Sequence, residues 1–291
     1  MVQRLASQEN LKAIQLFKRL NMKIVYDLDD DLWSIPPYNP AYSRIRNWIA
    51  GFEVCSSLSD MITVSTHHLR LMVMQALGKK CPPIRVVENA LDFEWFQPIP
   101  DKFRKQREGK IVLGWAGTNT HTGDVKQVFS LIPELLREYP QLEFEMVGLA
   151  LEEDWKKEFG DRVRQRDFIP VAEFAVHWAS WQWDLSLAPL EENRFNRSKS
   201  SIKMLEAASL HIPCVASSFG EYSKFASSSR LLKKTVMASG IHDWKRKISA
   251  LVSDSALRKE VGEEMYTVGK KEFDILTRLD RWKDVFQEVA S

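Results

Sequence analysis

Short apolar runs and longer amphipathic stretches alternate along almost the whole chain. Lys23–Asp27, Met61–Ser65, Ile84–Glu88, Ile111–Trp115, Leu142–Val147, Arg166–Ile169, Leu185–Pro189 and Pro213–Ser217 read as strands. Between them, apolar residues recur at helical spacing. Leu11, Ile14 and Leu16–Phe17 mark one such face, as do Tyr42–Leu58, His67–Leu77 and the set Val128, Leu131, Ile132, Leu135, Tyr139. Alternation of this kind predicts an α/β protein with parallel sheets. The charged, irregular stretch Asp101–Gly109 reads as a linker, and a fresh α/β series starts at Lys110. The expected organisation is a first domain over 1–105, a second over 106–274, and a tail over 275–291. In that tail Leu276, Leu279, Trp282, Phe286 and Val289 predict a terminal helix that packs back on the first domain.

Composition narrows the function classes. With 44% hydrophobic and 27% charged residues in 291, the chain is globular. Its formal net charge is +2, and short basic clusters such as Arg104–Arg107 and Lys245–Lys247 are interleaved with acids, so no nucleic-acid stripe forms. The three cysteines have neither metal-ligand spacing nor the density of a disulfide framework. No apolar run approaches the ~20 residues of a membrane span, and no signal-peptide core precedes the first helix. The expectation is a reduced, cytoplasmic protein.

Three segments carry candidate chemistry. In Asn193–Ser217, Ile202, Leu205 and Ala208 share one helix face while Lys199, Lys203 and Glu206 share the opposite one. A cationic helix N-terminus can hold a diphosphate, and a glutamate further on can accept ribose hydroxyls. The polar face of an ordinary amphipathic helix carries the same residue types. In Gly114–Asp124, glycines after a strand let a ligand approach the backbone, and Thr118, Asn119, Thr120 and Thr122 offer short polar groups. A tight turn capped by Thr122 or Asp124 reads equally well. Without a following lysine it is no P-loop. Ile24–Trp33, IVYDLDDDLW, is the densest acidic cluster, at the end of a strand where α/β sheets bind ligands. Most of the ten tryptophans read as core, while Trp33 and Trp115 adjoin the candidate loops and are the two raised as sugar contacts.

Four segments in order resemble the retaining nucleotide-sugar glycosyltransferases with two Rossmann-like domains, the GT-B group that includes glycogen synthase. They are Met61–Leu69, Val86–Pro98, Lys110–Thr118 and Asn193–Ser217; Val86–Pro98 matches at Asn89, Asp92, Phe96 and Pro98 and departs at Ala90, where the family has Gly. The resemblance implies two Rossmann-like domains facing a cleft, with a reduced N-terminal domain. It also implies retaining transfer from a nucleotide-diphosphate sugar, a co-substrate, with no other cofactor and no metal. Arg194 and Lys199 would meet the leaving diphosphate. Gly117, Thr118, Asn119, Ser198, Lys199, Ser200 and Glu206 would hold the donor. Glu206 matches the second glutamate of the family's Glu-x7-Glu pattern, whereas Ser198 stands where the first belongs; Glu191, Glu192 and Asn196 adjoin it. Asp29, Asp30, Trp33 and His67 would lie on the acceptor side. The short first domain fits a minimal enzyme, a fragment, or a chain completed by a second copy or a partner. Two other readings stand beside this one. One is a non-catalytic nucleotide-sugar or carbohydrate-binding module. The other is a phosphatase resembling the haloacid dehalogenases, with Asp27 as nucleophile and Asp29 as acid, although Asp30–Asp31 replaces that family's Gly-Thr pair.

Overall fold

A computed structural model describes residues 1–98 and 109–291. The expected linker, apart from Gly109, and the boundary at 105 lie outside the described residues. The chain forms two compact units. The first gathers Met1–Ala90, Glu192–Ser200 and Ile275–Ser291; the second holds Leu91–Glu191 and Ser201–Asp274. Residues 192–200, expected within the second domain, thus belong to the first unit.

In the first unit, β1 (Val2–Gln3), β2 (Val25–Leu28), β3 (Met61–Val64) and β4 (Ile84–Val86) lie side by side in that order, all parallel. Every residue of β3 is buried, as a parallel sheet covered on both faces requires. Side chains alternate across the sheet. Tyr26 and Ile62 enter a core with Ile14, Phe52 and Leu69, whereas Val25 and Met61 join Val285 and Val289 on the other face. The helix Leu279–Ala290 therefore covers that second face through Val285, Val289 and Trp282. Leu276, Leu279 and Phe286, expected in the packing face, are exposed. Ion pairs supply the rest of the attachment: Arg278 to Glu88 at 3.3 Å, Arg281 to Glu88 at 2.6 Å and Arg85 to Glu288 at 2.7 Å.

The second unit has a six-stranded parallel sheet. Its strands are β5 (Ile111–Ala116), β6 (Leu142–Val147), β7 (Val163–Arg166), β8 (Leu185–Ala188), β9 (Cys214–Ser217) and β10 (Met237–Ala238). Their order is β10-β9-β8-β5-β6-β7. β5 and β6 are buried throughout, so β5 reads in sequence as an apolar run and β6 as one broken by Glu143 and Glu145. Those two glutamates take their partners from the edge strand: Arg164 bonds Glu143 at 2.5 Å, and Arg166 pairs with Glu145. This pairing sets β7 at Val163–Arg166 rather than at the expected Arg166–Ile169. β10, two residues long, carries no legible pattern. The single helix expected around Val128–Tyr139 is two, Thr122–Phe129 and Ile132–Glu138, with Pro133 at the start of the second. Trp178, Trp181 and Trp183 are buried and packed ring on ring, with Trp183 lying against Gly114 where a Cβ would not fit. Cys214 is core, and burial pushes its thiol up to about 12.

Candidate functional site

In the second unit β5, β6 and β7 step away from the centre in one direction, and β8, β9 and β10 in the other. The chain's direction reverses between β5 and β8, so the turns leaving their carboxyl ends diverge and open a crevice there. Gly117–His121 leaves β5, and Pro189–Glu191 leaves β8. Asp124 ties the two together, accepting from His121 Nδ1 at 2.8 Å and from the Glu191 amide at 3.0 Å. Ser217 Oγ, at the end of β9, both accepts from the Leu190 amide and donates to its carbonyl, each at 2.9 Å. The crevice is thereby braced on three strands.

Gly117 donates its amide to Val147 at 3.1 Å, and its carbonyl lies where a Cβ on Gly148 would be, 2.2 Å away. Gly148 has φ +84°, a conformation open to glycine at little cost. The turns after β5 and β6 can approach this closely because Gly148 lacks a side chain, while the bare Gly117 leaves room for the Trp115 ring beneath it. Thr118 bonds Thr120 at 2.7 Å, and the Asn119 carbonyl accepts from Thr122, while the Asn119 side chain is exposed. Trp115, raised as a sugar contact, is instead 1% exposed and packs beneath the turn against Phe129 and His121.

The helix beside this crevice is Ile202–Ser209. It carries Lys203 and Glu206 one turn apart, but not Lys199, which precedes it and belongs to the first unit. Lys203 Nζ donates to the Ala116 carbonyl at 2.5 Å and lies over the Trp115 ring. Lys203 thus brings positive charge to the β5 turn, the place expected for Lys199. The helical spacing named it in sequence, yet could not say which of two lysines reaches the turn. Glu206 is half-buried, and burial pushes its carboxyl up to about 7 against the opposing pull of Lys203.

The remaining expected residues assemble in the first unit. Asp27 accepts from Thr63 at 2.6 Å and from Gln3 at 2.9 Å, so both of its oxygens are engaged. Burial, then the neighbouring Asp29, raises its carboxyl above the ordinary range despite those bonds. A phosphatase nucleophile needs an oxygen presented to substrate, which this arrangement does not offer. Asp29 and Asp30 pair with Arg4, and Lys199 stands 3.8 Å from Asp30 with its ammonium over the Phe195 ring. Arg194 lies 3.4 Å from Asp31. Trp33, half-buried, donates its indole N–H to Glu53. The Ser198 carbonyl accepts from Thr66 at 3.1 Å, and the Ser200 hydroxyl accepts from Asn89 at 3.0 Å. His67 is exposed at the start of its helix. Arg194, Ser198, Lys199 and Ser200, expected on the donor, are therefore held by the first unit's own residues. The sequence raised His68 only together with His67, and Asp31 only as part of the acidic run, since three consecutive aspartates and two consecutive histidines give no sign of which turns inward. Among the described residues no group of three or more His, Cys, Asp or Glu side chains stands where it could hold a metal ion, and no helix is long and apolar enough to cross a membrane.

No family model matches the chain, and no curated protein matches it in sequence. Solved structures do match in fold. A sucrose-phosphate synthase from Thermosynechococcus elongatus superposes with a TM-score of 0.70 at 14% identity, over 96% of this chain and 71% of that one. Anabaena HepE in complex with UDP and glucose gives 0.68 at 17% identity, over 97% and 76% of the two chains. A glycosyltransferase from Rickettsia africae gives 0.66 at 10% identity, over 100% and 77%. Identities this low make the likeness one of architecture. With its two parallel α/β units, the chain has the GT-B fold found in glycosyltransferases.

Proposed function

We propose that this protein is a glycosyltransferase that moves a sugar from a nucleotide-diphosphate donor to a hydroxyl-bearing acceptor. The observation that carries this reading is the pairing of Lys203 and Glu206 on the helix beside the glycine turn Gly117–Asn119, at the point where the second sheet reverses direction. An ammonium at that turn meets diphosphate charge, and a carboxylate one helical turn away accepts ribose hydroxyls. HepE, which shares the fold, was solved with UDP and glucose and with UDP-glucose, which favours a uridine donor here.

On this reading the second unit binds the donor and the first takes the acceptor. As the glycosidic bond breaks, the departing diphosphate gains negative charge, so a fixed cation stabilises the transition state more than the ground state. Retention of configuration and a metal-free catalytic step follow from the resemblance in Asn193–Ser217.

A thermal-shift panel of UDP, GDP, ADP and their sugars tests the donor site. A ligand at 100 times its Kd contributes ~2.7 kcal/mol. Stabilisation by one nucleotide family, followed by nucleotide release when an acceptor is added, supports the enzyme. Binding with neither transfer nor hydrolysis identifies a non-catalytic binding module. The anomeric configuration of the product, read by NMR, tests retention. Activity that EDTA abolishes and Mn²⁺ restores would overturn the metal-free step.

A further inference from the structure

In the first unit, His68 Nε2 and Ser198 Oγ are buried with no hydrogen-bond partner among the described residues, and the buried Asp31 Oδ2 has only its ion-pair contact with Arg194 Nε. Asp31 and Ser198 are 0% exposed. The segments that carry them are tied together. Arg194 reaches Asp31 at 3.4 Å, and Thr66, two residues before His68, bonds the Ser198 carbonyl at 3.1 Å. His68 feels the attraction of Asp31 and the repulsion of Arg197 and Arg194. The other oxygen of Asp31 is bonded by the Trp33 amide at 3.2 Å. Buried polar groups in folded proteins are nearly always bonded, because an unmade bond costs the full desolvation of the group. Two unbonded atoms, beside a carboxylate oxygen held only by a long ion-pair contact, point to a ligand group that completes them.

The charges around them select its chemistry. Asp31, with Asp29 and Asp30 next to it in the chain, disfavours an anion. Arg194 and Arg197 disfavour a cation. Burial holds the His68 imidazole below its ordinary value, so at neutral pH one ring nitrogen donates and the other accepts. The carboxylate can only accept, whereas the serine hydroxyl does both. An alcohol meets these demands, being neutral and able to donate to Asp31 while accepting from His68 or Ser198.

We propose that Asp31, His68 and Ser198 form a pocket for a hydroxyl group of a sugar-like polyol. The pocket stands on the first unit's geometry; only the source of the hydroxyl, acceptor or transferred sugar, rests on the glycosyltransferase reading.

The test follows the His68 imidazole signal in NMR of the intact protein, assigned by its disappearance in His68→Gln. The probes are the methyl glycosides of glucose, galactose and mannose, then UDP-glucose and GDP-mannose, then UDP and GDP alone. The signal is expected to move with a glycoside, which assigns the acceptor, or with a sugar nucleotide but not its bare nucleotide, which assigns the transferred sugar. Ser198→Ala should weaken that binding roughly 2- to 10-fold, and Asp31→Asn roughly 10- to 100-fold. Ser198→Ala guards against misfolding of the aspartate variant, because it removes one hydroxyl and leaves the Arg194 pairing intact. A signal unmoved by every probe, or binding unchanged in Ser198→Ala, overturns the pocket. If sugar nucleotides raise the melting temperature while the His68 signal stays still, the pocket fails and the transferase reading stands. If a glycoside moves the signal and no nucleotide binds, the pocket stands and the transferase reading fails.

Discussion

Replacing Glu206 with Gln tests the donor site through proton linkage. Burial lifts the carboxyl from an ordinary 4.5 to about 7 in the folded chain. The folded state therefore binds the proton more tightly than the unfolded chain, and stability falls as pH rises between those two values. The loss starts near pH 4.5, is mostly complete by pH 7 and is flat above it. At ~1.4 kcal/mol per pH unit, the ionised carboxylate costs the fold about 3 kcal/mol at alkaline pH, an upper bound because the side chain keeps part of its surface open. Urea unfolding at steps from pH 5 to 9 should show wild type losing roughly 2 kcal/mol more than Glu206→Gln, with the variant the more stable at pH 8. Ribose hydroxyls donating to the carboxylate favour its charged form. UDP affinity in wild type should then rise with pH through 7 and binding should release protons, giving a calorimetric heat that differs between phosphate and Tris buffers. Glu206→Gln should bind UDP more weakly, with no dependence on buffer. Parallel stability curves for the two proteins, together with a buffer-independent heat in wild type, would refute both the buried carboxylate and its contact with ribose.

Lys203→Ala should weaken UDP binding roughly 10- to 100-fold by calorimetry, because it removes a charged donor at the β5 turn. Lys199→Ala should leave UDP affinity within about twofold while lowering turnover; equal effects of both on binding would count against their separation into two units. Gly148→Ala places a Cβ 2.2 Å from the Gly117 carbonyl at φ +84°, so unfolding should show a loss of about 2–5 kcal/mol, and UDP binding should weaken as the turn is displaced. Arg278→Ala removes the more buried of the two arginines paired with Glu88, and should cost roughly 3 kcal/mol and loosen the terminal helix, seen as faster hydrogen exchange over Leu279–Ala290.

The periodicity of the chain was enough to find both sheets. β3, β5, β6, β8 and β9 are buried on both faces, and burial of that kind writes an apolar run into the sequence wherever it occurs. Parallel pairing followed, since each run is separated from the next by a helix-length polar-apolar stretch. Glu206 and the Gly117–Asn119 turn were legible for the same reason, being local patterns attached to a strand end. The edge strand β7 was misplaced because its residues are held by ion pairs with Glu143 and Glu145, which leave no apolar signature.

The partner of each loop charge was a different matter. Residues 193–200 are continuous in sequence with the helix Ile202–Ser209, yet they meet groups more than a hundred positions away: the Arg194 side chain meets Asp31 and Gln75, the Ser198 carbonyl meets Thr66, and the Ser200 hydroxyl meets Asn89. Helical spacing placed Lys199 beside Lys203 on one face. The helix begins only at Ile202, and tertiary pairing drew Lys199 towards Asp30 while Lys203 turned to Ala116. Likewise, nothing in DDD or HH distinguishes the inward Asp31 and His68 from their neighbours, because the distant segment that packs on these turns, through Arg194 on Asp31 and the Ser198 carbonyl on Thr66, is encoded by no local pattern. Local sequence determines which face of an element is apolar. Which charge meets which is decided by the packing of distant segments, where Coulomb attraction acts on distance in space rather than along the chain.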